Sequence, residues 1–577
     1  MKNGEVSAVF RQMAEILEIL GEDAYRIRAY QRAAQNIENL PEDIAAIRER
    51  GELTKIPAIG KEIARKIEEI LDTGTLQKYE ELKQKVPPGL VELLQVPGVG
   101  PKTARMLYEK LSIENLATLE RLAREGRLKG LPGIKAKTEE NILRGISLMR
   151  SVQERRPLGL VLPLVRRVTA LLQERATVSR LSPAGSIRRY RETVRDVDIL
   201  AASKEPEKVV DAFVSLPFAA EVIAHGPTKG SVRTPDGLQI DLRVVPEESY
   251  GAALCYFTGS KAHNIRVREL GVRLGLKINE YGVFRGEERI AGTTEEEVFA
   301  AVGLPYIPPE MREDRGEIEA GLDGRLPQVV ALTEIKGDFH VHSKYSDGAA
   351  SLGEIAEKAK RLGLEWVAVC DHSQSLKVAG GLDAAALSEK RAAIEAFNAR
   401  SPDVKLLCGT EVDIGVDGRL DYPDEVLASL DVVVAAIHTA FRQGKEVQTR
   451  RLLSAINNPY VHAIAHPTGR LIGEREGYAL DLERVFEAAA RTGTFLEINA
   501  YYKRLDLNDL YARAAAEKGI GFVIGSDAHL LDQMEFLDLG VGVARRGWLT
   551  GQQVINTLSY KELLKALRQK RDLMLHI

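Results

Sequence analysis

Gly185-Ser186-Ile187-Arg188-Arg189-Tyr190-Arg191-Glu192-Thr193-Val194-Arg195-Asp196-Val197-Asp198-Ile199-Leu200 reads in three parts. A Gly-Ser turn comes first, a basic run follows, and an Asp-x-Asp pair then enters an apolar segment. In a strand, residues i and i+2 point to the same face. Asp196 and Asp198 therefore project two carboxylates side by side. Unpaired carboxylates that close repel each other, and a hard divalent cation bound through oxygen relieves the repulsion. Downstream, Leu238-Gln239-Ile240-Asp241-Leu242-Arg243-Val244-Val245 sets Asp241 inside another apolar, β-rich run, as on a neighbouring strand. Three strand-borne acids suffice for two metals, which serve the attacking and leaving oxygens of a phosphoryl transfer. Gly185 and Ser186 leave backbone and hydroxyl donors free for phosphate, with Arg189 close by. The competing reading is a surface turn before a charged edge strand. The combination of Gly-Ser, Asp-x-Asp and a later strand Asp is far more specific than Asp-x-Asp alone.

Around this stretch, residues 159–175 read as a helix. Strands are predicted near 177–181, 194–202, 219–224, 231–234 and 238–245, giving a helix-backed antiparallel sheet. His225-Gly226-Pro227-Thr228-Lys229-Gly230-Ser231 reads as a turn between strands. Residues 316–335 are Gly- and acid-rich and read as a linker.

Toward the N-terminus, residues 5–50 read as helices, with Met13, Ile16, Leu17 and Leu20 at helical spacing. Three related pieces follow: Ile56-Pro57-Ala58-Ile59-Gly60-Lys61, Val96-Pro97-Gly98-Val99-Gly100-Pro101 and Leu131-Pro132-Gly133-Ile134-Lys135-Ala136. Each joins two short helical segments, and the units resemble helix-hairpin-helix motifs. Backbone N–H groups at a helix start bind a DNA phosphate without reading sequence. Gly60, Gly98, Gly100 and Gly133 are the candidate DNA contacts. The alternative is a generic helical hairpin that needs Gly for its turn. The third copy has Lys135 in place of the second Gly, which puts its phosphate contact in question.

Toward the C-terminus, eight of the ten histidines lie beyond residue 335. Short apolar runs end in Asp338-Phe339-His340-Val341-His342, Cys370-Asp371-His372, Gly409-Thr410-Glu411, Ile437-His438, Ala465-His466 and Ser526-Asp527-Ala528-His529. Thr494-Phe495-Leu496-Glu497-Ile498-Asn499 makes a seventh strand. Helical segments such as 351–362 and 481–492 lie between. Continuous apolar strands suit a parallel sheet buried on both faces, and polar residues at strand C-termini are where a barrel builds its site. His340, His342, Asp347, His372, Glu411, His438, His466, Asp527 and His529 provide nine ligands, enough for three metal ions. Imidazole mixed with carboxylate suits zinc or manganese rather than calcium. Such a cluster favours phosphoester hydrolysis. A lone strand-end His is usually a satisfied polar residue; nine ligands at matching strand ends oppose that reading. His462 and His576 fall outside the pattern and read as structural. Lys344 and Arg470 are weaker candidates for contacting the scissile phosphate.

The length of 577 residues suggests roughly four units at about 150 residues each. The net charge of −3 does not announce a nucleic-acid binder, so local patches must. Three cysteines, Cys255, Cys370 and Cys408, sit in apolar runs and form no C-x-x-C pair, as in a reduced, cytosolic protein. The N-terminus lacks a signal pattern, and no apolar run approaches the ~20 residues of a membrane span. No heptad or repeat suggests a stable multimer, and a monomer is expected.

Residues 185–198, with Gln239-Ile240-Asp241-Leu242-Arg243 and Tyr256-Phe257-Thr258-Gly259-Ser260, resemble family X DNA polymerases, the group containing polymerase beta. The strand-end pattern over residues 336–577 resembles the PHP phosphoesterase family. The whole chain is similar to the bacterial type of polymerase X that carries a C-terminal PHP domain. The resemblance implies a multidomain α+β and α/β chain. Its parts would be a helical lyase-like domain (1–85), helix-hairpin-helix fingers (86–150), a nucleotidyltransferase palm (151–247), a thumb-like nucleotide-selection subdomain (248–315), the linker (316–335) and a distorted (β/α)7 PHP barrel (336–577).

The resemblance also assigns roles. Asp196 and Asp198 would bridge two Mg²⁺ or Mn²⁺ ions, with Asp241 as base or ligand at the primer 3′-hydroxyl. Gly185, Ser186, Arg189, Gly259 and Ser260 belong to the nucleotide site. Tyr256 and Phe257 match residues packing on the nucleotide sugar, where the alternative is two core aromatics. Asn264 and Arg268 match residues near the base-pair minor groove. Arg195 stands where polymerase beta has a glycine near the triphosphate; its side chain either tightens nucleotide binding or blocks it. Lys66 matches the lysine that forms a Schiff base in the lyase domain, with Arg65 and Lys61 expected to lower its pKa by repulsion. Glu62 departs from the family's basic residue, and a solvated helix lysine is the alternative. The PHP site would take up to three Zn²⁺ or Mn²⁺ ions. The implied function is gap-filling synthesis in base excision repair on gapped or primer-template DNA, using deoxynucleoside triphosphates. 3′–5′ exonuclease, 3′-phosphatase or abasic-site endonuclease activity would reside in the barrel. Two other readings stand beside it: an idle polymerase module delivering a nuclease, and a barrel acting on a small phosphate monoester.

Overall fold

The computed structural model describes residues 3–38, 44–56, 58–94, 96, 99–134, 137–143, 145–146, 155–400 and 403–575. They fall into two compact units, Met1–Gln153 with Gly473–Arg475, and Glu154–Ile472 with Glu476–Ile577.

The first unit is helical. Helices Asn3–Leu20 and Ala24–Glu38 bury Met13, Ile16 and Leu17, and Phe10 stacks on Tyr30 with centroids 5.9 Å apart. The three hairpins share one turn. Ile59 N–H donates to Ile56 O at 3.0 Å, Val99 to Val96 O at 2.9 Å and Ile134 to Leu131 O at 2.9 Å. Ile59, Val99 and Ile134 are all buried. In the first and third, the residue before the buried one turns left-handed. Ala58 does so at φ 62° and Gly133 at φ 82°; the alanine accepts a conformation that L residues resist by roughly 1–2 kcal/mol. Gly98 and Lys135 lie outside the described residues.

The second unit begins with a mixed sheet. Its strands are β2 (Arg180–Pro183), β4 (Asp196–Ala202), β5 (Glu221–His225), β6 (Lys229–Arg233) and β7 (Gln239–Val245). The order is β2-β4-β7-β6-β5. A two-stranded ribbon of β1 (Arg156–Pro157) and β3 (Thr193–Val194) stands beside it. The expected antiparallel sheet needs correction at its centre, because β4 and β7 run parallel. Helix Pro206–Val214 and the β5–β6 hairpin lie between them in sequence and return the chain in the original direction. The parallel register sets Asp198 directly against Asp241. Helix Leu158–Arg175 backs the sheet with Val161, Val165, Val168 and Leu172 buried.

Helices Tyr250–Thr258 and Lys261–Arg273 follow, with a small antiparallel sheet of β8 (Lys277–Asn279), β9 (Gly282–Arg285) and β10 (Glu288–Ala291). Residues 316–335, read as a linker, are folded. Helix Glu317–Leu322 buries Ile318 against Val267 and Phe299, and the fully buried Glu317 pairs with His263 Nδ1 at 2.7 Å. Among the acids of this segment Glu317 is buried and paired, while Glu319, Asp323 and Glu334 are exposed.

The C-terminal half is a nearly closed barrel. It contains β11 (Gly337–Val341), β12 (Trp366–Val369), β13 (Lys405–Asp413), β14 (Val432–Ala436), β15 (Ala463–Ile464), β16 (Phe495–Asn499) and β17 (Phe522–Gly525). All seven are parallel and adjacent in chain order. Both faces are apolar and buried, each large aliphatic side chain contributing about 1.5–3 kcal/mol. Asp338 draws the barrel shut, accepting from Ser526 N–H at 3.0 Å and Ser526 Oγ at 2.5 Å. His342 N–H donates to Ala528 O at 2.9 Å across the same seam. The sheet and the barrel share one continuous apolar core.

Candidate functional site

Two sites lie in the second unit. The first is a cleft of about 700 Å³ lined by residues that include Gly185, Ser186, Arg189, Arg195, Asp196, Asp198, Tyr256, Phe257, Gly259, Asn264 and Arg268. Gly185 turns left-handed at φ 60°, and a Cβ there would sit 2.3 Å from Asp198 Oδ2. Only glycine lets the turn lie against that carboxylate. Ala184 N–H donates to Asp198 O at 2.8 Å, tying turn to strand. Burial, with the Asp196 and Asp241 carboxylates beside it, pushes the Asp198 carboxyl up to about 6. Gln239 Nε2 donates to Asp241 Oδ2 at 2.9 Å. Asp241 Oδ1 is buried and has no hydrogen-bond partner. An orphaned carboxylate oxygen beside two further carboxylates is what a divalent cation fits.

The cleft is basic beyond expectation. Arg155, Arg191 and Lys261 join Arg189, Arg195 and Arg268, so six cations face three carboxylates among the lining residues, Asp196, Asp198 and Glu313. Arg195 is exposed at the rim. Arg189 is not free: Nε contacts Glu313 Oε1 at 3.1 Å, and Nη1 donates to the Thr258 carbonyl. Tyr256 meets Phe257 edge-on at 5.2 Å and is 42% exposed, so it is not a core aromatic. Asn264 Nδ2 holds the Tyr256 carbonyl at 2.8 Å, and Arg268 Nε reaches Asn264 O at 3.3 Å. Ser260 departs from expectation. Its hydroxyl caps helix Lys261–Arg273 at His263 N, and its N–H goes to Arg312 O at 3.0 Å, so it shapes the turn and is not among the cleft-lining residues.

The second site is the C-terminal mouth of the barrel, where all nine expected ligands converge. Glu411 is the hub. Nitrogens of His466, His372, His438, His340 and His342 lie 2.8, 2.9, 3.3, 3.6 and 3.7 Å from its oxygens. His340 Nε2 and His342 Nε2 face each other at 3.2 Å, and His342 Nε2 is 3.2 Å from Asp527. Asp347 lies 3.4 to 3.6 Å from His529, His372 and His342. Three groups have ligand atoms mutually within 4.8 Å: His342-Asp347-His372-His529, His340-His342-Asp527 and His372-Glu411-His438. His466 joins them through Glu411. His342 Nδ1 and His466 Nδ1 are buried without hydrogen-bond partners. Imidazoles packed face to face with orphaned nitrogens fit metal ions.

Burial opposes charge on Glu411, yet His438, His372 and His340 hold its carboxyl well below the usual range. Burial, with His529 and His372 alongside, pushes His342 down to about 4. His372 goes up to about 10, because Glu411 and Asp347 outweigh its burial. His340, His342 and Glu411 are sealed, while His529 and Asp347 have 35% and 23% of their side chains exposed, so the cluster meets solvent at the latter pair.

Sequence reading missed the residues that aim these ligands. Glu497 Oε1 accepts His340 Nδ1 at 2.7 Å, and Asp413 Oδ1 meets His438 Nδ1 at 2.5 Å. Asn499 Nδ2 donates to Asp527 Oδ2 at 3.0 Å. Asp371 accepts from Ser343 and Ser346 and pairs with the buried Lys390 at 2.8 Å. Such outer partners fix imidazole tautomer and orientation. Their signal was a carboxylate inside an apolar strand. Of the weaker candidates, Lys344 is exposed beside Glu354, and Arg470 is bound to Glu192 at 2.7 Å and to backbone carbonyls. Arg504, 3.4 Å from Asp527, is the cation at the mouth. His462 Nδ1 accepts from Val433 N, as a structural histidine does. His576 lies outside the described residues.

In the first unit, Gly60 and Gly100 begin helices Lys61–Thr73 and Pro101–Leu111 with nearly identical backbones, φ −80° and −84°, ψ 173° and 171°. Among the described residues nothing lies within 4 Å of a Cβ placed at either, or at Gly133, and all three glycines are exposed. Lys66 needs correction. Its ammonium bonds Glu62 Oε1 at 2.6 Å and lies over the Tyr30 ring. Burial opposes its charge, but Glu62 and Tyr30 raise its pKa overall. Lys66 is thus ion-paired, and the expected lowering of its pKa by Arg65 and Lys61 does not appear.

Comparison with known proteins agrees with this division. Family models match for a helix-hairpin-helix domain (residues 1–76), a helix-hairpin-helix tandem (90–147), the DNA polymerase beta thumb (253–313) and the PHP domain (338–502). The chain is 38% identical to DNA polymerase/3′-5′ exonuclease PolX of Bacillus subtilis over 573 residues, 99% of this chain and 100% of that one. DNA polymerase lambda of Arabidopsis thaliana is 27% identical over 345 residues, 54% of this chain and 62% of that one. A probable phosphatase of Thermoanaerobacter is 31% identical over 250 residues, 40% of this chain and 96% of that one. A full-length relative, a polymerase thumb and a PHP barrel in one polypeptide have one explanation: the chain belongs to the family X DNA polymerases that carry a C-terminal PHP domain.

Proposed function

We propose that this protein is a DNA-directed DNA polymerase that fills gaps in repair, joined to a metal-dependent phosphoesterase that trims DNA 3′ ends. One observation carries the reading: a carboxylate triad, with Asp196 and Asp198 lining a basic cleft and Asp241 paired beside Asp198, and a nine-ligand barrel mouth stand in one compact unit. Divalent ions, Mg²⁺ or Mn²⁺ in the cleft and Zn²⁺ or Mn²⁺ in the barrel, supply Lewis acidity at phosphoryl oxygens. Asp196, Asp198 and Asp241 would hold the first set. Asp241 Oδ1, left open by Gln239, is the atom available to the primer 3′-hydroxyl. Arg189, Arg195 and the Gly185-Ser186 turn bind the triphosphate. Tyr256 and Phe257 pack the sugar, and Asn264 and Arg268 flank the base pair. In the barrel the nine ligands hold the ions, Glu497 and Asp413 orient the histidines, and Arg504 adds a cation for the phosphate.

Gly60, Gly98, Gly100 and Gly133 deliver DNA phosphates, in fingers and lyase-like regions bounded as read from the sequence. The paired state of Lys66 argues against lyase chemistry without movement of Glu62. Among the described residues no helix is long and apolar enough to cross a membrane, and Cys370 and Cys408 are buried and free. A monomer in the cytoplasm is consistent with both. The direct test uses a 5′-labelled primer on a one-nucleotide-gapped duplex with Mg²⁺ or Mn²⁺. Lengthening with dNTPs and shortening without them is expected; shortening alone would mean an idle polymerase fold.

Similarity to a probable phosphatase across nearly its whole length supports a second reading, a barrel acting on a small monoester. Faster turnover of a free phosphomonoester than of a DNA 3′ end would favour it.

A further inference from the structure

The loop that carries the Gly-Ser turn is held from behind by the barrel. Helix Leu537–Arg546 follows β17 and belongs to the C-terminal half. Tyr190 of the loop donates to Asp538 Oδ1 at 2.7 Å, and Arg166 reaches the other oxygen of Asp538 at 2.5 Å. Gly542 lies flat against the Tyr190 ring, where a Cβ would come within 2.1 Å of Cδ1. Arg546 Nη1 donates to the Arg189 carbonyl at 2.7 Å. Tyr190 has φ 50°, a conformation rarely adopted by a bulky residue, and these contacts hold it there.

A chain of alternating charge runs from this helix into the cleft. Arg546 Nη1 also donates to Glu313 Oε1 at 2.9 Å, the oxygen that receives Arg189 Nε at 3.1 Å. On its far side Arg546 Nη2 binds Asp509 Oδ2 at 2.8 Å, which Arg315 meets at the same distance. Arg546 is 5% exposed, so these are not screened surface pairs. Glu313 lines the cleft beside Arg189. Shared between two arginines, its carboxylate is neutralised even when Arg189 turns toward another anion. Without Arg546, Arg189 would be the close counter-ion of Glu313, the next nearest being Arg191 at 4.0 Å, and would be held away from phosphate.

We propose that Arg546, a residue of the barrel, is a positioning residue for nucleotide binding in the polymerase cleft. It pins the loop at the Arg189 carbonyl and shares Glu313, leaving Arg189 able to exchange that carboxylate for a triphosphate oxygen. The barrel thus serves synthesis through its helix, independently of its metal ligands. The proposal rests on the polymerase reading above.

The test measures single-nucleotide incorporation by the full chain at varied dNTP, beside equilibrium binding of a fluorescent dNTP. Arg546→Met is expected to raise the KM for dNTP about tenfold, the scale of a lost charge-assisted hydrogen bond, with kcat within about twofold. Hydrolysis of a single strand by the barrel stays unchanged. In a Glu313→Gln background the same substitution has a smaller effect, because there is no carboxylate left to share and only the hold on the Arg189 carbonyl is lost. Arg546→Lys, which reaches one acceptor, gives an intermediate KM and decides the matter if the methionine variant does not fold. An unchanged KM, or an undiminished KM rise in the Glu313→Gln background, overturns the proposal. A wild-type chain that extends no primer overturns the polymerase reading instead; the binding arm then still reports on Arg546.

Discussion

The cleft and the barrel mouth both gather negative charge for divalent cations, but with different side chains. The cleft uses three carboxylates on two paired strands, beside arginines of which Arg195 and Arg268 are exposed. The barrel packs six imidazoles around a sealed glutamate. Oxygen-only sites suit hard ions that arrive with a phosphate substrate, whereas imidazole-rich sites with oriented outer partners suit resident transition metals. The difference predicts one site that borrows its metal and another that is partly built by it.

The largest expected effect falls on the hub. Glu411→Gln leaves five imidazoles without their shared carboxylate. Barrel hydrolysis should drop by more than about a hundredfold, the most that losing even an outer partner costs. Primer extension should stay within about twofold of wild type. Metal analysis alongside should show depleted zinc or manganese; full occupancy with lost hydrolysis would shift Glu411 from ligand to another role.

Stripping metal sharpens the comparison further. Removing resident ions with a strong chelator should lower the melting temperature by about 5–10 °C, and added Zn²⁺ or Mn²⁺ should restore it. An equal shift in a chain lacking barrel ligands would contradict assignment of the effect to the barrel.

The polymerase half takes its rigidity from ion pairs instead. Buried Glu295 binds Arg188 through both oxygens, at 2.8 and 2.6 Å, and Arg312 at 2.7 Å. Burial opposes its charge, but the two arginines hold its carboxyl down at about 2, against an ordinary 4.5. A depressed folded-state pKa stabilises above the unfolded value, so this contribution is complete above pH 4.5. It fades as pH falls toward 2, for a total of about 3 kcal/mol. Glu295→Gln should cost about 3–5 kcal/mol at pH 7, because two buried guanidinium groups lose their counter-ion. Denaturant titration at pH 7 and pH 3 checks both; a variant as stable as wild type at pH 7 would contradict the account.

The division of labour was legible where chemistry sits at strand ends and illegible where it crosses space. Asp196 and Asp198 announced themselves by spacing, and the barrel ligands by ending apolar runs. Glu497 did not, because its partner His340 is 157 residues away. The parallel β4–β7 pair was hidden because strand patterns do not encode direction. Residues 316–335 read as a linker because the sequence does not reveal that Glu317 meets His263. The expected lowering of the Lys66 pKa fails for a local reason: Arg65 is adjacent in sequence, but Glu62, one helical turn back, shares its face.

The smallest effect belongs to the first unit. Gly60→Val places a side chain where open space now meets the helix start. Affinity for gapped DNA should fall about two- to threefold without regard to sequence, as a phosphate contact would. Unchanged affinity would remove Gly60 from the DNA interface.

Synthesis in the cleft and hydrolysis in the barrel are proposed to be separable by mutation. Asp198→Ala and His342→Ala, assayed together on a 5′-labelled primer at a one-nucleotide gap, test this most directly. The account predicts that Asp198→Ala shortens the primer but never lengthens it, and that His342→Ala lengthens it but never shortens it. Loss of both activities in either soluble, folded variant would contradict the two-site account.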